Sequence, residues 1–284
     1  LADRYLNMEL PQVEVVDVRE ARKRKLMRSH FSEKLIEEIG LSLERNEQVI
    51  LFQNRRGFAP FIECHECGWV PHCENCDVTL TYHKASDLLV CHYCGYSVKP
   101  THECMACGST NLQPQGFGTE KVEDELQIFF PEASIERIDL DSTRSRTAYE
   151  GIIARFETGQ TDILIGTQMV TKGLDFDRVS LVGVLNADNM LNFPDFRASE
   201  RSFQLMAQVS GRAGRKNRRG LVIIQTSQPN HPVIKQVKEN DYMAFYATVV
   251  GERQKFLYPP FCRLISISIK HKDQNVALQA SEVM

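Results

Sequence analysis

The sequence predicts an α/β fold: a doubly wound parallel sheet interrupted by a small cysteine-rich module. Three observations carry that expectation. Short apolar runs at 49–52, 163–165 and 179–185 alternate with stretches of helical periodicity. That is the pattern of strands buried on both faces and joined by crossover helices. Eight of the nine cysteines crowd into residues 64–107. Polar clusters follow two of the apolar runs, where open α/β sheets place their sites.

Taken in order, residues 13–16 and 48–52 read as strands, with Leu35, Ile36, Ile39 and Leu43 marking a helix between them and Ser32 as its N-cap. The cysteine segment follows the second strand closely. Thr119 is placed to cap a helix carrying Val122, Leu126, Phe129 and Phe130 on one face. A strand at 134–139, a helix at 147–157 closed by Gly159, and apolar strands at 163–165 and 179–185 come next. A helix near 197–209 and a strand at 221–225 complete the pattern. Beyond Thr226 a helical stretch with Tyr242, Phe245, Tyr246 and Phe256 ends at Pro259-Pro260. An alternating run, Leu264, Ile265, Ile267 and Ile269, then precedes an amphipathic start at Val276 and Leu278.

Composition excludes several classes. The 284 residues carry 34 Lys+Arg against 37 Asp+Glu, with 25% charged and 42% hydrophobic residues. Those averages argue against disorder and against a globally basic coat for nucleic acid. No apolar run approaches the ~18 residues that span a bilayer, so no membrane partner is expected. The start lacks the charged-then-apolar pattern of a secretory signal. It begins with Leu rather than Met, which reads as a piece of a longer chain.

The cysteines form four C-x-x-C pairs, Cys64/Cys67, Cys73/Cys76, Cys91/Cys94 and Cys104/Cys107. Two residues between thiolates let both sulfurs turn toward one tetrahedral ion, with zinc the default and iron the lesser option. A secreted disulfide framework would spread its cysteines instead. Knuckles sharing a ribbon-type site need ~15–20 residues between them. The middle pairs come closest, so the expected sets are nested: Cys73, Cys76, Cys91 and Cys94 on one ion, Cys64, Cys67, Cys104 and Cys107 on the other. Eight thiolates fill two tetrahedra, which leaves His65, His72, His83, His92 and His102 outside them. The segment holds five acids against two bases (Lys84, Lys99), an unfavourable surface for phosphate. A docking or strand-separating role suits it better.

Two stretches carry the remaining chemistry. In Gln204-Leu-Met-Ala-Gln-Val-Ser-Gly-Arg-Ala-Gly-Arg215, two arginines three apart can set two guanidinium forks on a polyphosphate. In Ile165-Gly-Thr-Gln-Met-Val-Thr-Lys-Gly-Leu-Asp-Phe176, hydroxyl, amide, ammonium and carboxylate groups follow an apolar strand. A third polar cluster, with Arg55 and Arg56, ends the strand at 48–52.

The Q-x-x-G-R-A-G-R sequence at Gln208–Arg215 resembles helicase motif VI, and 167–176 resembles motif V. A RecA-like lobe of this kind, interrupted by paired cysteines after Asn54-Arg-Arg-Gly-Phe-Ala-Pro60, is similar to the primosomal replication-restart helicases, the PriA family. The resemblance implies an ATP-dependent helicase: 3′→5′ DNA unwinding at stalled forks followed by primosome loading, in the bacterial cytoplasm, by a monomer. Forked and single-stranded DNA, primosome proteins and single-stranded-DNA-binding proteins are its implied partners. It implies that Gln208, Arg212 and Arg215 face ATP phosphates, with Arg215 the arginine finger. It also implies that Gly173 and Asp175 lie near the nucleotide and that Thr167, Gln168 and Lys172 touch DNA. The nested zinc pairing is a property of that family as well.

The same resemblance divides the chain into a first-lobe tail and linker (1–28), the second RecA-like lobe (29–63 and 111–227), the inserted two-zinc module (64–110), a helical linker (228–257) and the start of a truncated C-terminal α+β domain (258–284). No G-x-x-x-x-G-K-[ST] sequence occurs. ATP and Mg²⁺ would therefore need a first lobe, and this chain alone is not expected to hydrolyse ATP. Two other readings compete: a zinc-dependent interaction scaffold with vestigial motor motifs, and another superfamily 2 translocase of the RecG type. The intact Gln208, Arg212 and Arg215 set argues against the first and the paired cysteines against the second.

Overall fold

The computed structural model describes residues 10–53, 61–76, 78–83, 87–114, 119–139, 146–167, 176–214, 219–265, 267, 269 and 274–283. In chain order its elements are β1 (Gln12–Asp17), α1 (Val18–Lys23), β2 (Met27–Arg28), β3 (Phe31–Ser32), α2 (Glu33–Glu44), β4 (Gln48–Phe52), β5 (Ile62–Cys64), β6 (Thr81–His83), β7 (Leu88–Val90), β8 (Ser97–Val98), β9 (Leu112–Pro114), α3 (Thr119–Phe129), β10 (Ile135–Ile138), α4 (Arg146–Glu157), β11 (Ile163–Gly166), β12 (Val179–Val184), α5 (Asp188–Leu191), α6 (Ala198–Ser210), β13 (Leu221–Thr226), α7 (Pro232–Glu239), α8 (Tyr242–Lys255) and α9 (Gln274–Glu282). They fall into two units, Leu1–Tyr246 and Ala247–Met284.

In the first unit six strands form one sheet in the order β1-β13-β12-β4-β11-β10, and every pairing in it is parallel. Apolar residues fill both faces. Val49, Leu51, Ile163, Ile165, Leu181 and Ile223 meet Phe31, Leu35 and Ile39 beside α2, and Val122 and Leu126 of α3. The alternate residues Ile50, Phe52, Leu164, Val182, Val222 and Ile224 are buried on the other face, as the period of two requires. This is the doubly wound sheet that the near-continuous apolar strands predicted.

Two local expectations change. Gln12–Asp17, whose residues 13–16 read as a strand but fall in the segment 1–28 assigned to a first-lobe tail and linker, is the edge strand of this sheet, in register with Leu221–Thr226. Its six residues, with Val13, Val15 and Val16 as the apolar positions, mark a strand but do not say which sheet that strand joins. Thr119 lies inside α3, and its hydroxyl donates to the buried Asp139 carboxylate at 2.6 Å instead of capping the helix. Ser32 does cap α2, accepting from the Leu35 N–H.

The cysteine segment enters and leaves through one antiparallel pair, β5 with β9. Inside it β6, β7 and β8 form a separate three-stranded sheet. In the second unit α9 forms over 274–282. The alternating residues Leu264, Ile265, Ile267 and Ile269 are exposed and in no strand among the described residues; a strand needs a partner edge, and no described residue of that unit supplies one. Among the described residues no helix is long and apolar enough to cross a membrane.

Candidate functional site

The four C-x-x-C pairs converge on two points. Cys64, Cys67, Cys104 and Cys107 form one set, and Cys73, Cys76, Cys91 and Cys94 the other. These are the nested sets that loop length suggested, and no histidine among the described residues joins either one. Sulfur separations include 3.7 Å for Cys64–Cys107, 3.5 Å for Cys67–Cys104 and 3.6 Å for Cys73–Cys94. A tetrahedron with Zn–S arms of ~2.3 Å has edges of about 3.8 Å, so the donors fit a four-thiolate zinc site.

The local sequence explains the convergence. Cys64, Cys91 and Cys104 each start a tight turn whose carbonyl accepts from the glycine four residues on, Gly68, Gly95 and Gly108. All three glycines hold φ near +75°, a region that costs most side chains about 1–2 kcal/mol. Burial pushes the Cys67 thiol up, whereas the Tyr96 backbone N–H holds Cys94 down. Binding of a dication releases the protons from those thiols that carry them. With every position filled by sulfur, each site can hold structure but offers no open position for a metal-bound water.

His83 and His92 stand outside the tetrads, their Nε2 atoms 3.1 Å apart. Cys262, the ninth cysteine, is half-buried.

The motor-type residues are spread over the lobe. Gln208 is exposed in the last turn of α6, and Arg212 follows half-buried, its N–H on the Val209 carbonyl at 2.9 Å. Gly214 donates to the Val179 carbonyl at 2.9 Å, which pins this turn to the amino end of β12. A side chain at Gly220 would stand 2.3 Å from the Ala213 and Gly214 backbone, so the return to β13 needs glycine. Thr167 lies instead beyond the carboxyl end of β11, with its side chain buried. The strands are parallel, so the two motifs begin at opposite edges of the sheet. Arg215, Gln168, Lys172, Gly173 and Asp175 lie outside the described residues, as do Arg55 and Arg56.

Sequence reasoning passed over a polar cleft of about 360 Å³ at the carboxyl ends of β12 and β13, lined among others by Arg22, His30, Glu63, His65, Lys121 and Asp188. Asp188 is buried and accepts from the Thr226 hydroxyl at 2.6 Å and the Ser227 N–H at 2.7 Å. Glu63, one residue before the first ligand, is 2% exposed. Its burial, and then the Asp188 carboxylate, push its carboxyl well above the usual range. An aspartate just beyond an apolar strand end was the available signal for Asp188. Glu63 gave none. The same junction holds Gly68, whose missing Cβ would stand 2.9 Å from the Ser227 carbonyl, and Arg19, whose guanidinium donates to the Cys67 carbonyl.

Known proteins match both halves of this arrangement. Residues 73–99 match the PriA DNA helicase Cys-rich region (CRR) domain, which spans the inner cysteine set. Residues 117–217 match the helicase conserved C-terminal domain, from α3 through the Gln208–Arg215 stretch. The replication restart protein PriA of Bacillus subtilis (strain 168) is 43% identical over 282 residues, 99% of this chain. The chain belongs to the PriA family. Two further PriA proteins are 44% identical over 93% of the chain (Synechocystis sp.) and 42% over 88% (Haemophilus influenzae). The chain spans about a third of the length of these PriA relatives, 35%, 32% and 35% respectively. Family membership accounts for the coexistence of two cysteine tetrads and a helicase-type lobe in one unit.

Proposed function

We propose that this chain supplies the second motor lobe and zinc module of an ATP-driven DNA helicase that restarts stalled replication forks. The observation that carries the reading is the uninterrupted Gln208–Arg215 sequence in the same chain as two complete cysteine tetrads. Within that reading Gln208, Arg212 and Arg215 face the phosphates of an ATP held with Mg²⁺ by a first lobe. Arg215 meets the charge that builds on the transferred γ-phosphoryl group, so hydrolysis waits for the two lobes to close. Gly173 and Asp175 line the nucleotide side of the interface. Thr167, Gln168 and Lys172 contact the DNA backbone from the carboxyl edge of the sheet. The tetrads bind zinc and hold the acidic module rigid for strand separation and partner docking. Translocation 3′→5′, primosome loading, contact with single-stranded-DNA-binding proteins and a monomeric cytoplasmic state belong to the same reading, as does an inert isolated chain.

The test uses the full-length protein. Arg215→Ala should cut DNA-stimulated ATP hydrolysis by at least ~10³-fold, the usual effect of losing an arginine finger. Unchanged hydrolysis would sink the arginine-finger assignment, whereas no DNA-stimulated hydrolysis in the unaltered full-length protein would leave the scaffold reading in its place. Binding to forked and single-stranded DNA across a salt series, on this chain alone, measures how many phosphates the lobe itself engages.

A further inference from the structure

We propose that Tyr93, held between two ligands of the inner metal site, positions the start of α6 by packing on Phe196. The zinc module thereby braces the helix whose last turn carries Gln208. Only the last step, from α6 to the motor, rests on the function proposed above.

The position of Tyr93 is set by the knuckle. Cys91 and Cys94 flank it, the Cys91 N–H donates to the Tyr96 carbonyl at 2.8 Å, and the Gly95 N–H donates back to Cys91 at 3.0 Å. Its side chain leaves the module. The Tyr93 ring meets the edge of Phe196 with centroids 6.4 Å apart and planes at 70°, a favourable edge-to-face geometry. The Tyr93 hydroxyl oxygen accepts from the Phe196 N–H at 3.4 Å. The Arg197 guanidinium stands over the same phenylalanine ring, 5.2 Å from its centroid.

Phe196 belongs to a tightly bonded approach to α6. Asp195 accepts from the Arg197 N–H at 2.8 Å and from the Arg201 guanidinium at 2.7 Å. The residue at the helix start, Arg197, offers no capping side chain of its own. Farther along, Phe203, Met206 and Val209 are buried, and Phe203 stacks on Phe245 at 4.1 Å. A helix of 13 residues is a rod about 20 Å long, so a tilt at Phe196 reaches Gln208. At its root the module is held separately, by Arg19 on Cys67 and by Gly68 against Ser227. Tyr93 ties the far ribbon to the lobe, and metal at the inner site fixes the backbone from which it reaches.

Hydrogen exchange on this chain loaded with zinc tests the contact. Tyr93→Ala should keep two zinc ions while amides 195–201 exchange about 10-fold faster. Tyr93→Phe, which keeps the ring, should retain most of the protection. Unchanged exchange in a Tyr93→Ala protein holding two zinc ions would overturn the proposal. Should that variant lose metal, Phe196→Leu asks the question from the lobe side. Coupling is reciprocal, so the inner site should hold zinc about 10-fold more weakly against a competing chelator at equilibrium, and unaltered affinity would overturn the proposal equally. In the full-length protein, Tyr93→Ala should lower unwinding of forked DNA several-fold per ATP hydrolysed. Unwinding at the original yield despite faster exchange would refute the last step. A full-length protein without ATPase activity would refute the motor reading and leave the exchange result standing.

Discussion

The lobe and the zinc module solve the same packing problem with different means. Among the described residues, twelve apolar side chains, Phe31 to Ile223, form one lobe core on strands of four to six residues. The module core has six buried members among the described residues, and two of them, Cys73 and Cys91, are metal ligands. Its strands are two or three residues long, too short for a sheet to stand on ladder bonds and burial alone. The lobe is therefore stabilised by burial and the module by its ions. Removing one source of stability should leave the other intact.

Metal removal is the largest test of that division. Structural zinc contributes on the order of 10 kcal/mol to small domains of this kind. Chelation, or Cys104→Ser at the outer site, should erase exchange protection in 64–112. Amides of β4, β11 and β12 should stay protected. Simultaneous loss in both regions would show that the lobe depends on the module. Metal analysis should return two zinc ions per chain before chelation. The converse experiment is Leu35→Ala. Leu35 is fully buried between α2 and the sheet, and such truncations cost about 2–5 kcal/mol. The lobe should unfold at lower denaturant, with zinc content unchanged at native conditions.

The junction of the two regions has an intermediate sensitivity. Gly68 holds φ +74°, and a Cβ there would meet the Ser227 carbonyl at 2.9 Å. Gly68→Ala should cost about 1–2 kcal/mol from the backbone alone. It should speed zinc loss from the outer site more than from the inner one. Equal effects on both sites would mean that the knuckles melt together.

The same contrast explains how much was legible beforehand. Buried parallel strands announce themselves as apolar runs, so β4, β11, β12 and β13 were readable within a residue or so. The cysteine pairs were readable because metal chemistry dictates their spacing, and loop length alone favoured the nested sets. What joins module to lobe was not. Glu63 with Asp188, Arg19 with Cys67 and Tyr93 with Phe196 are contacts between distant segments, and each side chain looks ordinary in its own neighbourhood. Gln225 shows the same effect inside the sheet. A polar residue in an apolar strand, it accepts from the Ser32 N–H and donates to the His30 and Leu185 carbonyls. The separation of Thr167 from Gly214 across the sheet was equally hidden, because motif order along the chain carries no information about sheet edges.

The smallest effect expected is on the surface of the lobe. Lys34 and Glu38 lie one turn apart on α2 with their charged atoms 2.8 Å apart. The pair runs from lysine to glutamate, against the helix dipole, which favours the low end of the ~0.3–0.5 kcal/mol typical of such contacts. The hydrogen bond to Glu38, then nearby carboxylates, raise the Lys34 pKa above 10.5 despite slight burial. A raised lysine pKa gives stability that is fully present below 10.5 and is lost as pH climbs through the folded value. Lys34→Ala should therefore lower the lobe's denaturation midpoint slightly at pH 7 and low salt. The difference should shrink at molar salt and again above pH 11, with zinc content untouched throughout. A cost above ~1 kcal/mol, or one that persists in high salt, would mean that ion pairs as well as burial hold the lobe.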